Sequence, residues 1–543
     1  MPSDPLPNHW DLETDVIVVG AGNTGLPAAI EAHDAGSKVL LLEGNDFMGG
    51  LMRGSGGNMF FCDTHIQKKL GIEDHVDWGV EDEMLMSDFR AVPELVRAYV
   101  EGGGETVLWL EREGLTWAEQ LADGDWGAGR LGNRRVMRNH FAGVSPTGYY
   151  PGGAPEGQMG YALTIVLEKS IAKRNIPVLF KHRMRKVYRD GNGPVVGVMA
   201  ETPNGNVNIR ARQAVVLAAG GATTNEALVK AWDPRLVGDA MYSDGLPYMT
   251  AMGDAIIAGE DVGGGLSDMS FVCFTPMKYG SIWYSLSLTA IEGEEGISRT
   301  TGVPLNARQG HYQRVILVKN DGTRYINEAE ATIRNPDIPR DVQGMPPAEY
   351  PEEPFIRKFL SLPNPRNVWV VTDAAQAEEM KWPVNEIANP EPMRGRGLDP
   401  KSCAVAGTLD ELADKMGVHK ANFLDTVQRY NGFAATGTDE DFGKAEPMFP
   451  IAKGPFYGLK MNIIRHTPPG GLRINTKGQV LDRAGLWDGT TATHIDAEPV
   501  IPHLYAGGEC AAFVGWRRAH RKTGPILTMG RITGIAVARE PLI

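Results

Sequence analysis

An α/β fold with more than one domain is what this sequence predicts, on three observations. First, the apolar run Thr14–Gly20 enters a Gly20-Ala21-Gly22-Asn23-Thr24-Gly25 turn, then a helix-like stretch through Ala28, Ala29, Ile30 and Ala32, then a second apolar run, Lys38–Glu43, ending in an acid. Second, the same grammar returns near the C-terminus. There His503–Ala506 runs into Gly507-Gly508-Glu509, and Gly524–Arg531 opens a final helix through Ile532–Ala538. Third, a chain of 543 residues exceeds what one hydrophobic core serves, roughly 250–300 residues.

Each element has a physical reason. A continuous apolar run, rather than an alternating one, marks a parallel strand buried on both faces. Gly20 permits the tight turn, Gly22 lets backbone approach a pyrophosphate, and Gly25 lets helix and strand pack closely. The helix N-terminus then stabilises the phosphate charge. Glu43 ends the second strand, where a carboxylate accepts ribose hydroxyls and repels a 2′-phosphate, which disfavours NADP. Strand, turn, helix and acid at this spacing predict a dinucleotide site. Beyond it, Gly49–Gly57 is rich in small residues that let backbone amides reach a ligand lying along the chain.

Composition narrows the class. Gly accounts for 66 residues, about 12% of 543, against an average of ~7%, which favours tight turns and close backbone approaches. A net charge of −13 opposes nucleic acid and anionic membranes as partners. The cysteines, Cys62, Cys273, Cys403 and Cys510, are scattered and lack metal or haem spacing, so no metal site is expected, and scattered thiols fit a reducing cytoplasm. Residues 1–15 lack the basic start and apolar core of a signal peptide, and no apolar run is long enough to span a bilayer.

Further motifs carry a resemblance. Val215–Gly221, Asp244-Gly-Leu, Asn320–Glu328, Thr408–Ala413, Arg429-Tyr-Asn431, Asp441-Phe-Gly443, Gly454–Tyr457 and Gly470–Asn475 are similar to segments of the fumarate reductase/succinate dehydrogenase flavoprotein family. Soluble, haem-less members and ketosteroid dehydrogenases belong to the same broad group. The resemblance spans nearly the whole chain. It implies a Rossmann-like FAD-binding domain with an inserted α+β capping domain: residues 1–240 and 450–543 bind FAD, and 241–449 cap it. Within the cap, the Pro-rich stretches Asn335–Pro365 and Pro383–Pro400 read as long loops or lids, and Leu409–Ala435 as a helical run.

The resemblance also implies roles. The ADP half of FAD falls to Gly20, Gly22, Asn23, Thr24, Gly25, Glu43 and Gly44. Gly50, Leu51, Ser55, Gly56 and Gly57 lie toward the flavin, with Val187, Ala219 and Gly220 on the adenine side. Gly508 and Glu509 meet the ribityl chain, and Ile526 and Leu527 the flavin ring. Members with covalent flavin carry a His six residues before the Gly-Gly pair; here that position is Gly50, so the FAD is expected to be non-covalent.

The implied chemistry is hydride transfer between flavin N5 and a carbon of a C=C bond beside a carboxylate or ketone, with a proton exchanged at the neighbouring carbon. Arg521 resembles the arginine that clamps the substrate, and His466 the substrate histidine of the HT-x-GG motif. Arg334 stands six residues after Glu328, where the family's proton-donating arginine stands four after. Two departures set the fumarate site apart: Thr275 replaces the HPT histidine, and Arg308 and His311 fall where an E-x-x-R relay belongs. An α,β-unsaturated acid therefore stands beside a cyclic ketone as substrate. For the ketone a tyrosine would carry the proton, and Tyr150, with Tyr149 beside it in a Gly/Pro-rich loop, is the candidate. A flavin oxidase or hydroxylase and an electron-transfer flavoprotein are the rival readings. A separate electron donor or acceptor is expected, because haem and iron–sulfur ligands are missing from the sequence.

Overall fold

The computed structural model describes residues 5–118, 121, 136–143, 159–243, 251–275, 313–328, 358–389, 400–486, 494–512 and 523–543, apart from 55, 56, 58, 88, 90, 239, 240, 270–272, 381, 383, 446, 462, 468 and 469. The chain forms two compact units. One comprises Met1–Trp232, Ser243–Cys273 and His466–Ile543; the other comprises Asp233–Tyr242 and Phe274–Arg465.

The first unit is built on a mixed sheet. Its strands are β1 (Leu12–Val19), β2 (Val39–Leu42), β3 (Val178–Leu179), β4 (Arg183–Arg189), β5 (Val195–Thr202), β6 (Gly205–Leu217), β7 (Gln479–Leu481) and β8 (Val500–Ala506). The order is β7-β8-β6-β1-β2-β3, with β5 on β6 and β4 on β5. From β8 through β3 the pairings are parallel, and β4–β5–β6 form an antiparallel meander.

Side-chain alternation shows why the strands read as continuous apolar runs. Val16 and Val18 of β1 join one core, together with Val39 and Leu41 of β2 and Ala214 and Val216 of β6. Ile17 and Val19 point the other way, into a second core with Leu40, Leu42, Val215 and Leu217. A sheet buried on both faces has no room for polar alternation. Strand β8 begins three residues earlier than the His503 start read from sequence.

Helices cover the first of these cores. They are α1 (Gly25–Asp34), α2 (Pro93–Arg112), α3 (Met159–Lys173) and α4 (Thr523–Val537). The final helix is continuous from Thr523, so the Gly524–Arg531 stretch is helix as well as helix start. It packs tightly on α1: a Cβ at Gly530 would meet the Thr24 carbonyl oxygen at 2.6 Å, and one at Gly534 the Ala28 oxygen at 2.5 Å. The two pairs advance together by four residues, so the helices run parallel.

The second unit holds a four-stranded antiparallel sheet in the order Ile316–Val318, Trp369–Asp373, Phe456–Lys460, Cys403–Ala406. Two helices share its core through Leu412, Met416, Phe423, Val427 and Phe433. The run Leu409–Ala435 expected to be helical is two helices, Leu409–Met416 and Lys420–Thr436. The break is Gly417 at φ +65°, a left-handed C-terminal stop. The loop expected over Pro383–Pro400 contains a short helix, Val384–Ala388. Its prolines explain this: Pro383 precedes the helix, where a proline is tolerated, and Asn389 before Pro390 ends it.

The Asn320–Glu328 motif forms a tight turn, with the Lys319 amide donating to the Thr323 carbonyl and Val318 bridged to Arg324. The turn delivers Arg324 and Glu328 into a buried ionic cluster. Arg324 donates to Glu328 at 2.7 and 2.9 Å and to Asp439 at 2.9 and 3.1 Å. Lys444 Nζ lies 3.3 Å from Glu328 and donates to the Val315 carbonyl and the Tyr430 hydroxyl.

Candidate functional site

The C-terminal ends of β1, β6 and β8 converge on the glycine turn, the place where doubly wound sheets bind ligands. Gly20 has φ +101°, and a Cβ there would sit 2.4 Å from the Ala218 oxygen. At Gly25 a Cβ would lie 1.8 Å from the Gly20 oxygen. Both glycines are therefore demanded by backbone geometry. Gly22 differs, because a Cβ on it would meet nothing within 4 Å. That leaves open space beside it, where the sequence expectation places a pyrophosphate.

The turn's polar atoms point to that ligand. Helix α1 starts at Thr24 with no side-chain cap and no acid in its first turn. Among the described residues the buried Asn23 Oδ1 and Thr24 Oγ1 find no hydrogen-bond partner. An uncapped helix start offers partial positive charge to a phosphate. The residues present fit the pyrophosphate of a dinucleotide cofactor.

Glu43 is 8% exposed. One of its oxygens accepts from the Ala21 amide at 2.9 Å and the other from the Asn45 amide at 2.9 Å. Burial raises its pKa, and the backbone amides oppose that. Each oxygen keeps a second lone pair for a ribose hydroxyl. The carboxylate is thereby locked to the turn it serves, a contact that spacing alone did not reveal.

The other expected cofactor residues that the structure describes are spread through the first unit. Gly508, at φ +72°, backs onto Thr24: a Cβ there would meet Thr24 Oγ1 at 2.5 Å. Glu509 follows it in a 3-10 turn, and Gly220, at φ +81°, opens to space beside Ala219. Ile526 and Leu527 are buried in the first turns of α4. Gly44 follows β2; Gly50 and Leu51 open a 3-10 helix, Gly50–Gly54; and Gly57 is buried at φ +66°. Val187 is 2% exposed, in the same core as Val19, Leu42 and Leu217. Ser55 and Gly56 lie outside the described residues.

Of the expected catalytic residues, Arg521, Arg334 and Tyr150 lie outside the described residues, as do Tyr149, Arg308 and His311. His466 lies in the strand Ile463–Thr467. Sequence reasoning missed one cluster in the first unit. Arg138, fully buried, donates to both oxygens of Asp74 at 2.6 and 2.7 Å and to Asp82 at 2.5 Å. Buried His140 pairs with the Arg138 carbonyl at 2.8 Å and with the Thr64 hydroxyl at 2.9 Å. The sequence signal was Arg138-Asn-His140, two basic residues flanked by apolar ones. Among the described residues no group of three His, Cys, Asp or Glu could hold a metal, and no helix is long and apolar enough to cross a membrane.

Comparison with known proteins gives the site its context. The chain is 27% identical over 541 residues to urocanate reductase from Eggerthella lenta, covering 98% of this chain and 76% of that protein. It is 24% identical over 606 residues to 3-oxosteroid 1-dehydrogenase from Mycolicibacterium smegmatis, covering 97% of each. Its fold superposes on the open conformation of a flavocytochrome c3 fumarate reductase with a TM-score of 0.69 and 25% identity, over 98% of this chain and 79% of that one. The FAD binding domain family FAD_binding_2 matches residues 15–524. The chain belongs to that family and is an FAD-dependent oxidoreductase acting on CH–CH bonds.

Proposed function

We propose that this protein reduces or forms a C=C bond conjugated to a carboxylate or ketone of a small molecule. The carrying observation is the uncapped, open glycine turn joined to Glu43, in a chain whose relatives are named for urocanate, fumarate and 3-oxosteroids. FAD, when bound, supplies the two-electron chemistry.

The chain's own groups orient the substrate and move the proton. A guanidinium at Arg521 suits bidentate capture of a carboxylate, and His466 would hold the same end. Arg334 is the candidate proton carrier for an acid substrate, and Tyr150 for a ketone. The loss of the HPT histidine to Thr275 favours an unsaturated monoacid or enone over a dicarboxylate. The flavin is held non-covalently, since Gly50 stands where a linking histidine would. Free thiols at Cys62 and Cys510 suit the cytoplasm, with electrons exchanged through a separate partner.

The test is anaerobic. Purified holoprotein is reduced with dithionite and mixed with a panel of enoic acids and cyclic enones while flavin absorbance is followed. Rapid reoxidation by one class identifies the substrate, and Arg521→Ala then slows it by orders of magnitude if the class is an acid. Reoxidation by oxygen alone would replace this reading with an oxidase or carrier.

A further inference from the structure

We infer that the buried Arg138 cluster is a positioning frame for the flavin end of the FAD site. The inference rests on FAD binding and needs no substrate to be known. Its first premise is the course of α4. That helix runs parallel to α1, with Gly530 against Thr24 at the mouth of the glycine turn. Residues 523–529 therefore extend beyond the pyrophosphate turn. Seven residues at 1.5 Å each give about 10 Å of helix past it. A dinucleotide anchored at the turn continues in some direction, and the projecting helix start bounds one side of that space.

The second premise is what holds this projecting start. Gly524 is pressed against the short strand Met59–Phe60: a Cβ on it would lie 2.2 Å from the Phe60 carbonyl oxygen and 3.0 Å from the Phe60 nitrogen. On the next turn the Thr528 hydroxyl donates to the Thr106 hydroxyl of α2 at 3.0 Å. The helix start is thus wedged, and Phe60 is the backbone stop. Three residues before Phe60, Gly57 is buried at φ +66°, so the same strand leads directly from the small-residue run.

The third premise ties the strand to Arg138. Met59 pairs with His140 and Phe60 with Asn139. The Phe61 amide donates to the Arg138 carbonyl at 3.1 Å, and the Arg138 guanidinium lies 5.9 Å from the Phe60 ring centroid. The guanidinium itself is fixed by Asp74 and Asp82, which enter from 64 and 56 residues away. Gln67 adds a bond to Asp74 at 2.8 Å. Every rotation of the Arg138 side chain would break a charge-assisted bond in a dry interior. The position of Phe60, and through it of α4's first turn, follows from this ionic frame.

Arg138 touches no reacting atom and is a positioning residue. The test uses purified full-length protein reconstituted with FAD. Arg138→Lys keeps the charge but loses the fork. Gly524→Ala disturbs the same junction without touching an ion. Both variants are expected to bind FAD at least about tenfold more weakly by fluorescence titration, with an altered visible circular dichroism of the bound flavin and a shifted reduction potential. Arg324→Lys, the equivalent change in the second unit, should lower the melting temperature and leave those flavin signals unchanged. If Arg138→Lys fails to fold, Gly524→Ala decides alone. Unchanged FAD affinity and flavin spectrum in the folded variants would overturn the inference, as would an equal flavin response to Arg324→Lys. Failure of the wild-type protein to bind FAD would instead overturn the family reading.

Discussion

Each unit contains a buried arginine held by carboxylates, and the two are built differently. In the second unit Arg324 and Lys444 face Glu328 and Asp439, two cations against two anions, with Tyr430 and the Val315 carbonyl taking the remaining protons. In the first unit Arg138 donates to both Asp74 and Asp82, while His140 beside it is held neutral. The balanced cluster staples a turn to a helix–loop segment. The one in the first unit grips a strand that the final helix leans upon. Buried ion pairs add little net stability over apolar packing, yet breaking one strands a charge. Both clusters are thus better explained by the geometry they enforce than by the energy they supply.

Breaking the balanced cluster should give the largest effect. Arg324→Met leaves Glu328 and Asp439 facing one lysine in a dry site, a loss of about 3–5 kcal/mol. Denaturant unfolding measures it, and the folded fraction should still bind FAD normally. A loss below about 1 kcal/mol would mean the cluster is better solvated than its burial indicates.

The two buried bases sharpen the comparison through pH. Burial depresses the His140 pKa to about 4 from the ordinary 6.5, more than the Arg138 carbonyl and Asp74 restore, and His65 adds to the depression. As pH falls through 6.5 the unfolded chain takes up a proton that the folded chain refuses until about 4. Stability is therefore lost across that window, by about 3 kcal/mol in full. Wild type should lose that much more than His140→Gln between pH 7 and pH 4; parallel losses would mean that His140 titrates normally.

Lys444 obeys the same sign at the other end of the scale. Burial pulls its pKa down to about 8 despite Glu328 and Asp439, with Arg324 opposing its charge. Across pH 8 to 10.5 the unfolded chain holds a proton that the folded chain has released, so this group's contribution to stability rises with pH. The gain is no larger than that of His140, and Lys444→Met should remove it. A wild-type profile that matches the variant across this range would show that Lys444 stays charged when folded.

The same contrast separates what the sequence disclosed from what it hid. Arg324 and Glu328 are four residues apart on one turn, so a linear motif exposed them. Asp74 and Arg138 are 64 residues apart, and only the folded chain pairs them. The parallel strands and the glycine turn were legible because burial on both faces and left-handed backbone leave local signatures. Leu409–Ala435 misled because its apolar pattern continues past Gly417, whose φ of +65° ends the first helix. Residues such as Arg521 and Arg334 were named through similarity of motif, since a substrate's chemistry is set by side chains from distant segments meeting, which periodicity does not record.

The smallest expected effect tests the opposite of a satisfied cluster. Every polar group around Arg324 has a partner, whereas Thr24 Oγ1, buried at 3% exposure, has none among the described residues. Leaving a buried hydroxyl unpaired costs about 1–3 kcal/mol, and a protein without ligand bears that cost. Thr24→Val keeps the shape and removes the hydroxyl. The FAD-free variant should be as stable as wild type or slightly more so. With FAD the order should reverse, because the wild-type hydroxyl gains its partner, worth about 1 kcal/mol or roughly three- to tenfold in affinity. Melting curves with and without FAD give both numbers. If the variant is weakened equally in the two states, Thr24 is bonded within the protein and the open turn owes nothing to a ligand.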